Sequence, residues 1–238
     1  MISYVGTEPD CIMIMLQSCG TWMFDAEGKP YITENKVLKE AVKLYARMIK
    51  EGVCVTVPDW NAYVGSINNG AVAGTINGCW MVGSICAQES QKGNWAIVNT
   101  PKLGSIPESV NYSNQGGSSW MIMANSKNAD VAMDLLNKTF AGSKELYETI
   151  LPKSGAIATW LPAAESSVYD KGHEFFGGQK IFKDIVEYAG HIPQINPGIF
   201  NYEARDAVAV AVSDILNGKD MDSSLAAAQK NIEFLMGY

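Results

Sequence analysis

Histidine is nearly absent from this 238-residue chain, which carries only His173 and His191. A metal centre needs clustered ligands at set spacings, and nucleophilic catalysis needs a base beside the nucleophile. His173-Glu-Phe-Phe-Gly177 begins like a zinc-protease helix but lacks the second histidine, so no metal site is expected. There is no G-x-S-x-G elbow, no G-x-x-x-x-G-K-[ST] loop, and no G-x-G-x-x-G after a predicted strand. A Cys–His pair distant in sequence is compatible with this inventory. Pairs drawn among 25 acidic residues are too many to be informative. No cofactor is expected.

Basic runs are missing too. Lysine and arginine number 18 against 25 acids, a net charge of -7, which argues against nucleic acid or an anionic membrane as partner. Long apolar runs are lacking: runs such as Ile12 to Leu16 are far too short to span a bilayer. Met1-Ile-Ser-Tyr-Val shows neither the basic start nor the apolar stretch of an export signal. Read on its own, that predicts a soluble cytoplasmic chain. The five cysteines (Cys11, Cys19, Cys54, Cys79 and Cys86) include no C-x-x-C and are expected to be structural thiols.

What the chain does have is apolar and aromatic side chains. It is 47% hydrophobic, with six Trp and ten Tyr, enough for a packed core. Flat aromatic faces suit the C–H surfaces of sugars, and they suit cores and interfaces equally. The focal stretch is Asn68 to Met81, NNGAVAGTINGCWM. Small and β-branched residues between two Asn-Gly breaks predict a strand over 71–76 that delivers Trp80 just past its end.

Elsewhere, apolar spacing of three and four predicts a helix from about Asn35 to Gly52 and a shorter one around Trp60 to Ile67. Further helices are predicted around Val131–Phe140, Ser143–Ile150, Phe182–Ala189 and Ala204–Ile215, and a last one capped by Asp222. Strands are predicted over 95–98 and 120–124, the second after a Gly116-Gly117 pair. Helices alternating with short strands make an α/β chain.

Candidate ligand contacts are uncharged or aromatic: Trp80, Asn77, Asn114, Gly116, Gly117, Ser118, Asn201 and Tyr202. Each has a plainer reading as well. Asn77 makes a turn, Gly116-Gly117 a tight corner, and Tyr202 starts a helix.

Taken in order, these stretches resemble the extracellular solute-binding proteins of family 1, the sugar-binding components of ABC transporters. Trp22-Met-Phe-Asp25 with Gly28-Lys-Pro30 is similar to the family's W-x-F/Y-D-x-x-G-K-P turn. Asn69-Gly70 with Ala73 to Trp80 resembles its long G-x-W signature, with Gly74 where Met is usual. Asn114-Gln-Gly-Gly-Ser-Ser-Trp120 resembles the hinge crossing, and Ala226-Ala-Ala-Gln229 the closing helix.

The resemblance implies an α/β, two-lobe periplasmic-binding-protein-like fold, closing by a hinge on a mono- or oligosaccharide. It implies delivery to permease subunits outside the cytoplasm, with any membrane link through the permease or an N-terminal anchor, and no covalent chemistry. It assigns stacking to Trp80, hydrogen bonds to Gly116, Gly117 and Ser118, and the last contacts to Asn201 and Tyr202. Residues 1–115 and 175–238 would be C-terminal-lobe material, and 116–174 an N-terminal-lobe segment. The opening half of the first lobe has no counterpart, so an incomplete fold and weak binding by this chain alone are expected. The alternatives are a glycoside-processing enzyme using cleft carboxylates, or a sugar-sensing protein.

Overall fold

The computed structural model describes residues 1–238. In chain order the elements are β1 (Ile2–Val5), α1 (Asp10–Ser18), α2 (Lys36–Lys50), β2 (Cys54–Val57), α3 (Trp60–Asn68) and α4 (Met81–Cys86). They continue with α5 (Ala129–Lys138), α6 (Lys144–Ser154), α7 (Leu161–Ala164), α8 (Ile181–Ala189), α9 (Asn201–Leu216) and α10 (Met221–Met236). The chain forms two compact units. The first is Met1–Ile76, Asn99–Gln115 and His191–Tyr238; the second is Asn77–Val98 and Gly116–Gly190.

In the first unit β1 and β2 pair in parallel, Ile2 opposite Cys54 and Val5 opposite Val57, with α1 and α2 in the crossover that parallel pairing requires. Side chains of α1, α2, α9 and α10 make the core, including Ile12, Leu16, Leu38, Val42, Val208, Leu225 and Ile232. The start of α2 is set by Asn35. Its side chain accepts the Leu38 N–H at 3.0 Å and donates to the Trp22 carbonyl at 2.8 Å. The sequence names Asp222 as the cap of α10, but Asp220 does that work, accepting the Ser223 N–H at 2.9 Å. Asp220 has the extended backbone that a cap needs, whereas Asp222 lies in the first turn and pairs with Lys39 at 2.7 Å.

None of the three predicted strands forms. Over 71–76 two backbone bonds, Val72 N–H to the Ser66 carbonyl at 3.2 Å and Ala73 N–H to the Met1 carbonyl at 2.9 Å, stand where a ladder was expected. Side chains complete the anchoring, with Tyr4 Oη donating to the Ile76 carbonyl at 2.9 Å and Tyr63 bonded to Thr75. The apolar run is right for a strand, but a strand exists only where a neighbour supplies the ladder. The strands that do form, β1 and β2, are short, and the sequence reading leaves them unassigned.

In the second unit α4 packs on α6, and the core holds Val82, Ile85, Tyr147, Leu151, Phe175, Phe176 and Phe182. At 95–98 the side chain of Gln179 takes the place of a strand partner. It accepts the Ile97 N–H at 2.9 Å and donates to the Ile97 carbonyl at 2.7 Å. Helix α5 carries its predicted apolar stripe, but Val131 and Leu135 are exposed, as are Trp120 and Met121.

Residues 77–98 and 175–190 fall in the same compact unit as 116–174. The contacts explain the grouping. The Gly93 N–H bonds the Phe175 carbonyl at 2.9 Å, Lys92 pairs with Glu174 at 2.6 Å, and Gln179 holds Ile97.

Candidate functional site

In the second unit, the Asn77 side chain accepts the Gly78 N–H at 2.7 Å, and the Gly78 carbonyl accepts the Met81 N–H at 3.0 Å. This tight turn sets Trp80 as the residue preceding α4, where its indole is 40% exposed. Gly116, at φ +95°, lies against the indole: a Cβ there would be 3.4 Å from Trp80 Nε1. Gly117 follows at φ +105°, and both angles are ones that L side chains resist. Ser118 is exposed beside them. Trp80 and Gly116 are thus brought together from positions far apart in sequence. Burial pushes the Cys79 thiol above its ordinary range, in keeping with a structural sulfur.

Asn114, Asn201 and Tyr202 belong to the first unit. The turn from Trp22 to Pro30, closed by Asp25 accepting the N–H groups of Glu27 and Lys29, directs two aromatics at the start of α9. Phe24 packs under Gly198, where a Cβ would lie 2.8 Å from the ring, so only glycine fits. The Trp22 indole N–H donates to Asn201 Oδ1 at 2.8 Å. Tyr202 is 69% exposed, with the Arg205 guanidinium 5.7 Å from its ring centroid. Arg205 is held by Asp10 at 2.7 Å, and the other oxygen of Asp10 accepts from Gln115. Asn114 is exposed between Gln115 and Ser113, whose hydroxyl donates to the Ile14 carbonyl at 2.7 Å. Burial, then the neighbouring Asp10, pushes the Glu8 carboxyl above the usual carboxylate range.

Each unit, taken by itself, presents an aromatic face and neutral polar groups held by neighbouring residues. Groups of this kind suit stacking and directed hydrogen bonds. No three His, Cys, Asp or Glu side chains cluster closely enough to hold a metal ion. No helix is long and apolar enough to cross a membrane.

Residues 13–177 match the family of bacterial extracellular solute-binding proteins. This chain belongs to that family. It is 33% identical over 229 residues to the lactose-binding protein of Rhizobium radiobacter, a match covering 96% of this chain and 54% of that protein. In structure it resembles the maltose/maltodextrin-binding domain MalE of Bdellovibrio bacteriovorus bound to maltotriose (TM-score 0.76, 18% identity, 99% of this chain and 60% of the other). It also resembles the GacH receptor of Streptomyces glaucescens, solved unliganded and with acarbose (TM-score 0.78, 17% identity, 100% and 60%). The fold is therefore the α/β fold of the periplasmic binding proteins, and the chain spans little more than half the length of these relatives.

Sequence reasoning missed Asp10, Gln115 and the role of Trp22. The i, i+4 spacing of Asn201 and Arg205 could have joined those two on one helix face. Nothing local could have paired them with Asp10 or Trp22.

Proposed function

We propose that this family member is a sugar carrier: an extracytoplasmic binding protein that presents a mono- or oligosaccharide to an ABC-transporter permease and leaves it chemically unchanged. The observation that carries the reading is Trp80, an exposed indole on a hydrogen-bonded turn, backed by the Gly116-Gly117 corner. Stacking would come from Trp80, hydrogen bonds from Asn77, Gly116, Gly117 and Ser118, and further contacts from Asn114, Asn201 and Tyr202. The lobe assignment follows the family: residues 1–115 and 175–238 are C-terminal-lobe material and 116–174 an N-terminal-lobe segment. Support for a sugar comes from a relative named for lactose and from structural neighbours solved with maltotriose and with acarbose. Support for carriage rather than catalysis comes from the same names, which are those of binding proteins and a receptor.

The test is calorimetric titration of the full-length protein with lactose and with maltotriose, followed by chromatography of the recovered sugar. Saturable binding with the sugar returned intact is expected. Cleaved sugar would favour the glycoside-processing alternative, and no binding of either would overturn the sugar reading.

A further inference from the structure

Asn201 is locked in one orientation. An indole N–H can only donate, so the atom of Asn201 facing Trp22 at 2.8 Å must be its carbonyl oxygen. The NH2 group then points away, and no protein atom accepts from it. Trp22 is itself fixed twice over. Its side chain is 9% exposed, and its carbonyl is held by Asn35, a residue buried at the head of α2. Ile199 and Tyr202, near it in the chain, have exposed side chains.

Resting on the sugar reading above, we infer that Trp22 is a positioning residue that makes Asn201 a donor-only contact. Asn201 then recognises a sugar oxygen through its lone pairs. An unconstrained asparagine offers either edge and accepts or donates as the ligand requires. Here the choice has been made before the ligand arrives. A hydroxyl that accepts from Asn201 must send its own proton elsewhere, and an ether oxygen can only accept, so both are selected by this edge.

Three variants of the full-length protein test this with lactose as probe, and maltotriose if lactose does not bind. Asn201→Leu removes both bonds at similar volume. Asn201→Asp keeps the acceptor for Trp22 and turns the outward donor into an acceptor. Trp22→Phe keeps an aromatic and frees the amide. Asn201→Asp is expected to lose tenfold or more in affinity, at least as much as Asn201→Leu, with the melting temperature of each checked against the parent. Trp22→Phe should lose about threefold to tenfold, the worth of one net hydrogen bond. Parental affinity in Asn201→Asp or in Trp22→Phe overturns the inference.

A parent protein that binds neither sugar overturns the sugar reading, and the inference about sugar oxygens goes with it. The locking contact is read separately in sugar-free 15N–1H spectra. There Trp22→Phe should shift the Asn201 side-chain amide signals, and unmoved signals overturn the lock.

Discussion

Gln179 grips Ile97 from both sides, accepting its N–H at 2.9 Å and donating to its carbonyl at 2.7 Å. One side chain replaces a whole strand neighbour, and the same amide also donates to Asp184 at 2.8 Å. Gln179→Glu removes the donors while keeping the shape. A loss of about 1–3 kcal/mol in unfolding free energy is expected, the cost of leaving partly buried groups unpaired. Urea denaturation measures it, and an unchanged midpoint would show that water replaces the amide without cost.

Gly155 ends α6 at φ +67°, and a Cβ there would sit 2.3 Å from the Cys79 carbonyl oxygen, next to Trp80. Gly155→Ala forces backbone apart in a left-handed conformation. It should destabilise by about 2 kcal/mol or more and weaken sugar binding by moving the Trp80 turn. Stable protein with parental affinity would separate the turn from the site.

Trp80→Ala tests the stacking contact directly. The indole is exposed, so the melting temperature should fall little, while affinity for the bound sugar drops tenfold or more. Retained affinity would take Trp80 out of the site.

Tyr45 is buried, and its hydroxyl has no hydrogen-bond partner. Burial pushes its ionisation well above the usual phenol range, so it stays neutral. Tyr45→Phe removes an unpaid desolvation cost while keeping the edge contact with Tyr4, and should gain up to about 1 kcal/mol. A clear loss of stability would mean that the hydroxyl finds a partner in solution.

His173 is held neutral. Burial lowers its pKa below the ordinary 6.5, its Nδ1 is buried without a partner, and its ring meets Phe176 and Phe182 edge-on. The unfolded chain therefore binds the proton first as pH falls. Stability from this site is complete above about pH 6.5 and is lost on acidification towards the lower folded value. His173→Phe should flatten that part of the profile of melting temperature between about pH 7.5 and 5. Parallel profiles would assign the acid sensitivity to other groups.

Much of this protein is local information. Helices α2, α9 and α10 follow apolar spacing, the Asp25 turn follows its Asp-x-x-Gly chemistry, and the ordered motifs carry the family. These depend on residues within a few positions of each other, so the amino-acid sequence by itself determined them. Strands were misplaced because an apolar run states only that a segment suits a sheet, while its partner is chosen elsewhere. The site shows the same division. Residue type marked Trp80, Asn201 and Tyr202. Only tertiary structure decided that Trp22 would fix which edge of Asn201 faces out, and that Asp10 would hold Arg205 beside Tyr202. Hydrogen bonds between side chains that meet only on folding leave no period, spacing or turn signal in the chain.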